Sequence, residues 1–209
     1  MREIIEKIKN SESLTEEEQL KMLELPQRAE LLELYNSVPN YLCKEAELKL
    51  LELPERVELL EIYLSSDNYL SPQDKMLRFF RGCKLYDEAQ LKMLDLPEKV
   101  ELLKIYISSG NRLCDEVQLK MFDLPQRGEL FAMYIQNLPL CDAAELKMLD
   151  LPEKVELLKI YVSAGNMLGC EAQLKMLDMQ EKVAFFKMYF QKHKLCEVAE
   201  EKARELGLM

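Results

Sequence analysis

Histidine-based catalysis has one candidate in this chain. His193 is the only histidine, and it stands in a polar segment near the C-terminus, a poor setting for a nucleophile–base–acid triad. No G-x-S-x-G, P-loop, H-E-x-x-H or glycine-rich phosphate cradle occurs, which leaves the common hydrolase and nucleotide chemistries without their parts. The other chemically capable residues recur in columns. Tyr35, Tyr63, Tyr106, Tyr134, Tyr161 and Tyr189 form one, Met22, Met93, Met121, Met148 and Met176 a second, and Cys43, Cys114, Cys141 and Cys196 a third. Two more are basic: Arg28, Arg56, Lys99, Arg127, Lys154 and Lys182, then Lys21, Lys49, Lys92, Lys120, Lys147 and Lys175.

Each column admits a functional and a structural reading. A tyrosine ladder could grip a peptide or a base, but at helical spacing it is read as core whose hydroxyls reach polar neighbours. Methionine is read as filling core gaps. A zinc site needs four sulfurs about 2.3 Å from one point, and a disulfide needs Cα atoms within about 7 Å. Stacked helices lie about 8–10 Å apart, so the cysteines are read as structural thiols. Glu24, Glu52, Asp95, Asp123, Asp150 and Asp178 precede the first basic column by four residues. That spacing predicts local ion pairs, or braces at a corner between helices, and disfavours one-base-per-repeat recognition of nucleic acid.

The elements behind these columns follow from one stretch, Asp95–Tyr106, which reads D-L-P-E-K-V-E-L-L-K-I-Y. Copies recur at Glu24–Tyr35, Glu52–Tyr63, Asp123–Tyr134, Asp150–Tyr161 and Asp178–Tyr189. The preceding leucines, Leu14, Leu42, Leu70, Leu85, Leu113, Leu140, Leu168 and Leu195, are spaced 28, 28, 15, 28, 27, 28 and 27. Each full unit predicts two short helices. Thr15 and Glu18 make a capping box for the first, and Ser71-Pro72 with Asp74 is another start signal. The D/E-x-x-E/Q pattern predicts a capping box for the second helix, with proline ending the helix before it. S-S-G-N (Ser108–Asn111) and S-A-G-N (Ser163–Asn166) predict left-handed exits. Val100, Leu102, Leu103, Ile105, Tyr106 and Ile107 cover most of the second helix, wider than the roughly 100° of a lone amphipathic helix. That width predicts cover on more than one side. The first helix carries Glu88, Lys92 and Asp95 opposite Ala89, Met93 and Leu96.

Tandem helix pairs of this kind resemble the α-solenoid class, with tetratricopeptide and ankyrin repeats as reference points. V-E-L-L-K-I-Y-I-S-S-G-N is similar to the second helix and exit turn of an ankyrin repeat. The T-P-L-H signature is absent, and 28 residues leave no room for the hairpin finger of an ankyrin unit of about 33 residues. The fold class expected is therefore all-α: an α-solenoid of period 27–28 with one half-length irregular unit and capping helices at both ends. Arg2–Lys9, with Ile4, Ile5 and Ile8 on one face, is the first cap, and Cys196–Leu206 the last.

The short interval is Leu70–Lys84, L-S-P-Q-D-K-M-L-R-F-F-R-G-C-K. It predicts a single helix at about residues 72–81. An odd helix would reverse the polarity of the stack unless a connection crossed over. A kink is expected there, dividing residues 1–69 from 85–209 in what is otherwise one continuous repeat domain. Lys75, Arg78, Arg81 and Lys84 are basic in a chain of net charge −10, and Phe79 and Phe80 stand together. These six residues are the expected partner site, set against the reading that the phenylalanines fill a misfit. The final unit, with Phe185, Phe186, Met188 and Phe190, is a second candidate surface.

The acidic balance argues against a polyanionic partner, and no apolar run approaches a membrane span. The N-terminus, M-R-E-I-I-E-K-I-K-N, is too charged for a signal peptide, and six cysteines in a chain of this length fit a reducing, cytoplasmic compartment. By analogy, an effector working in a host cytosol fits the type. The expected function is a monomeric, non-enzymatic scaffold without cofactor or metal, binding a protein or peptide. The alternatives are nucleic-acid binding through the basic columns and an enzyme site at the irregular unit.

Overall fold

The computed structural model describes residues 2–37, 40–65 and 84–209. Among them are fourteen α-helices: α1 Arg2–Lys9, α2 Glu16–Glu24, α3 Arg28–Asn36, α4 Lys44–Glu52, α5 Arg56–Ser65, α6 Asp87–Asp95, α7 Lys99–Ser108, α8 Asp115–Met121, α9 Arg127–Tyr134, α10 Asp142–Asp150, α11 Lys154–Ser163, α12 Cys170–Asp178, α13 Lys182–Phe190 and α14 Glu197–Glu205. They form two compact units, Met1–Cys114 and Asp115–Met209.

The Thr15 capping box forms as the sequence requires. The Thr15 hydroxyl accepts from the Glu18 amide at 3.3 Å, and the Glu18 carboxylate accepts from the Thr15 amide at 2.9 Å. The boxes expected at the second helices do not form. Glu24, Glu52, Asp95, Asp150 and Asp178 are the last residues of the first helices. The second-helix N-caps Gln27, Glu98, Gln126, Glu153 and Glu181 make no side-chain cap bond. Backbone turns start those helices instead: the Arg28 amide donates to the Leu25 carbonyl at 3.1 Å and the Lys99 amide to Leu96 at 3.2 Å. Leu25 is extended (ψ 148), as a residue before proline must be. Gly110 (φ 74) and Gly165 (φ 86) close α7 and α11, and their amides return to Ile107 and Val162 at 2.9 and 3.1 Å. These are the left-handed exits expected of S-S-G-N and S-A-G-N.

Stacking is like upon like. In the first unit α2, α4 and α6 pack in one row and α3, α5 and α7 in another, with α1 on α3. In the second, α8, α10, α12 and α14 form one row and α9, α11 and α13 the other. The terminal helices are thus half-units: α1 stands in the second-helix row and α14 in the first-helix row. α1 buries Ile4 and Ile8, and α14 buries Ala199 and Ala203. On either side of residues 66–83 like still packs on like, α4 on α6 and α5 on α7. The kink and the single helix expected there lie outside the described residues.

The tyrosine column is core, each ring at most 1% exposed, and all five column methionines are buried. The second helices bury less of their circumference than their composition implies. In α7 only Leu102, Leu103, Tyr106 and Ile107 are buried, while Val100 and Ile105 are half-covered.

Candidate functional site

The polar groups that could have made a site are engaged in joining the units. A sixth column, unnoticed in the sequence, lies at the centre: Gln19, Glu47, Gln90, Gln118, Glu145 and Gln173 are buried in the first helices. Each accepts the backbone amide that opens the next unit. Gln19 accepts from Cys43 at 2.6 Å, Glu47 from Tyr86 at 2.8 Å and Gln90 from Cys114 at 2.7 Å. Gln118 accepts from Cys141 at 2.8 Å, Glu145 from Gly169 at 2.7 Å and Gln173 from Cys196 at 2.8 Å. These are helix-terminal donors with no partner in their own helix, so one side chain satisfies them and clasps the joint. The signal was present as Gln/Glu-Leu-Lys-Met/Leu in every full unit. It was overlooked because a polar residue on a surface helix is first read as solvated.

The tyrosines close the same network. The amide groups of Gln19, Gln90 and Gln173 donate to the Leu14, Leu85 and Leu168 carbonyls at 3.2, 3.0 and 2.7 Å. Those of Gln19 and Gln173 also face the Tyr35 and Tyr189 hydroxyls at 3.3 and 3.4 Å. Where the column carries glutamate, the tyrosine donates: Tyr63 to Glu47 at 3.2 Å and Tyr161 to Glu145 at 2.7 Å. Burial pushes the Glu47 carboxyl up to about 8, against the opposing pull of the Tyr86 amide, the Tyr63 hydroxyl and the Lys84 charge. Burial raises Glu145 as well. Either type fits the column because both accept the incoming backbone amide, and the tyrosine hydroxyl that faces a glutamine amide turns to donate where the residue is glutamate.

Most members of both basic columns pair between units, while Lys21 and Lys120 pair within their own helices, with Glu17 at 2.6 Å and Glu116 at 2.9 Å. Arg28 binds Glu55 at 2.8 Å through both carboxylate oxygens, Arg56 binds Glu98 at 3.1 Å, Arg127 binds Glu153, and Lys154 lies 3.6 Å from Glu181. In the second ladder Lys49, Lys92, Lys147, Lys175 and Lys202 reach back to Glu24, Glu52, Asp123, Asp150 and Asp178 at 2.5–3.2 Å. The acid four residues before Arg28 thus serves the next unit's lysine. That is why it is not available to cap.

Among the described residues no three His, Cys, Asp or Glu side chains converge as a metal site. Burial pushes the Cys43 and Cys141 thiols up. Cys170 is exposed, and its contact with Cys196 raises its thiol. His193 packs beside Tyr189, ring centroids 5.2 Å apart.

Of the six residues expected to meet a partner, Lys75, Arg78, Phe79, Phe80 and Arg81 lie outside the described residues. Lys84 is buried; its ammonium donates to the Tyr63 carbonyl and sits 4.6 Å from the Tyr63 ring centroid. Phe185 and Phe186 are buried, whereas Phe190 is 44% exposed. In the second unit an open groove of about 360 Å³ runs between α9 and α11, lined by Ala132, Ile135, Gln136, Glu156, Lys159, Ile160, Ser163 and Ala164. No described helix is long and apolar enough to cross a membrane. No protein-family model, curated protein or solved structure matches the chain.

Proposed function

We propose that this protein is a non-enzymatic scaffold whose second-helix surface binds a protein or peptide. The supporting observation is the engagement of its interior: the buried Gln/Glu column and its tyrosines hold one another and the next unit's backbone. What remains for a partner is surface, and the groove beside Ile135 and Ile160 offers apolar walls with Glu156 and Lys159 at its edge. Small clefts with a few polar groups at the rim suit side-chain anchors. Nucleic acid is disfavoured because most of the ladder lysines and arginines already meet carboxylates.

The test is site-directed photo-crosslinking in cells. A photoreactive residue at Val155, on the second-helix face and 45% exposed, should give adducts of defined mass with a protein. The same group at Glu171, on the first-helix face, should not. Equal labelling from both positions, or none from Val155, would overturn the reading.

A further inference from the structure

At the joints of the second unit, the residue that opens one first helix leans over the N-cap of the next. Asp142 opens α10, and a Cβ on Gly169, the N-cap of α12, would lie 3.1 Å from its carboxylate. Asp115 opens α8, and its carboxylate meets the thiol of Cys141, the N-cap of α10. The same register sets Cys170, which opens α12, against Cys196, the N-cap of α14. There the two thiols are in contact. Gln173, one turn further along α12 on the face of Cys170, accepts from the Cys196 amide at 2.8 Å. That clasp pins the backbone of Cys196 beside the helix that carries Cys170.

Two thiols meet here because the sequence departs from its own pattern. L-C-D-E at Leu113–Glu116 becomes L-G-C-E at Leu168–Glu171. The cysteine moves one place, from N-cap to first helical residue. Cys170 therefore stands outside the cysteine column. Cysteines at equivalent positions are held apart by the full stacking distance of about 8–10 Å, whereas these two reach into one gap from its opposite sides. Cys170 is exposed and Cys196 half-covered, so one thiol meets solvent and the other lies behind it.

We infer that Cys170 and Cys196 are a dithiol site for small-molecule disulfides, which convert the pair to an intramolecular disulfide stapling α12 to α14. The Cys170 thiolate attacks one sulfur of the small disulfide, whose S–S bond breaks. A mixed disulfide forms on Cys170, and one small thiolate leaves and takes up a proton equivalent to the one Cys170 lost. The Cys196 thiolate then attacks the Cys170 sulfur and expels the second small thiolate, which is protonated in the same way. The protein loses two electrons and two protons, and the small disulfide gains both to become two thiols. In a reducing compartment such a bond is transient. The site goes beyond the scaffold reading and does not depend on it.

Oxidised glutathione is the probe. The full chain is equilibrated in mixtures of oxidised and reduced glutathione, quenched with acid, then alkylated with N-ethylmaleimide in urea. Intact mass should show six maleimides before oxidation and two fewer after it, and peptide mapping should find Cys170 joined to Cys196. Half-oxidation should need an oxidised fraction at least tenfold lower than for the chain unfolded in urea. Cys196→Ser should stop at a glutathione mixed disulfide on Cys170. In the oxidised chain the Cys196 amide should exchange with deuterium at least tenfold more slowly, with Cys43 unchanged. Circular dichroism of each variant reports folding. Six maleimides persisting in pure oxidised glutathione would overturn the site. So would glutathione resting on Cys170 of the unaltered chain, a bond to a different cysteine, or the same midpoint folded and unfolded. Unchanged exchange at Cys196 would overturn the staple.

Discussion

At the residue scale, one side chain per unit carries the joint. Gln173 accepts from the Cys196 amide at 2.8 Å and donates to the Leu168 carbonyl at 2.7 Å. Replacing it with leucine fills the volume but leaves a buried N–H and a buried carbonyl without partners. A loss of about 1–3 kcal/mol is expected, measured by urea unfolding. Gln173→Glu should be milder at low pH than at high pH. Glu47 makes the same point in reverse. Its carboxyl is held at about 8 in the fold against an ordinary 4.5, so the folded state binds the extra proton. Its neutral form is fully accommodated below about pH 4.5, and stability falls as pH rises through 8. Glu47→Gln should flatten that part of the pH–stability curve and stabilise the protein at pH 9, by an amount of order 3 kcal/mol. Thermal melts of both proteins between pH 5 and 9 decide it. Gly169 is constrained differently. A Cβ there would meet the Asp142 carboxylate at 3.1 Å and that of Glu145 at 3.3 Å, so cysteine, found at four other joints, does not fit without a shift.

At the element scale, the helix pairs were legible and their corners were not. Hydrophobic period, the Thr15–Glu18 box, the proline-bounded corner and the glycine exits all report local backbone physics, and each described helix formed close to where they place it. The acids at the corners were misassigned because two partners compete for them. A capping amide and a lysine one unit away fall at sequence distances that a single helix cannot reveal. The Gln/Glu column was hidden for the same reason, its partner being the backbone of another unit. Lys84 could be counted as basic from the sequence, but its burial against Tyr63 depends on how α5 packs beside the residues that lead into α6. The ladders yield a test. Charge reversal at Glu55 alone should lower stability, and the exchange Arg28→Glu with Glu55→Arg should recover part of it. That recovery should shrink in high salt, because these pairs are open to solvent. Double-mutant cycles at low and high salt measure it.

At the scale of the whole molecule, each clasp involves only neighbouring units, so a unit removed cleanly leaves the other clasps intact. Deleting residues 142–169, one full period of 28 residues, joins Cys141 to Cys170. It keeps the Gln118–Cys141 and Gln173–Cys196 clasps. This variant should fold with unchanged helicity per residue and a smaller urea m-value, in proportion to the surface it buries. Deleting residues 142–155, half a unit, should not fold, since it sets a second helix against a first. Circular dichroism with urea titration separates the two outcomes. The clasps also make clocks. The amide protons of Cys43, Tyr86, Cys114, Cys141, Gly169 and Cys196 are each held by a side chain across one joint, so each can trade for deuterium only when that joint parts. Six exchange rates in one spectrum would time six openings, and Gln173→Leu should quicken Cys196 far more than Cys43.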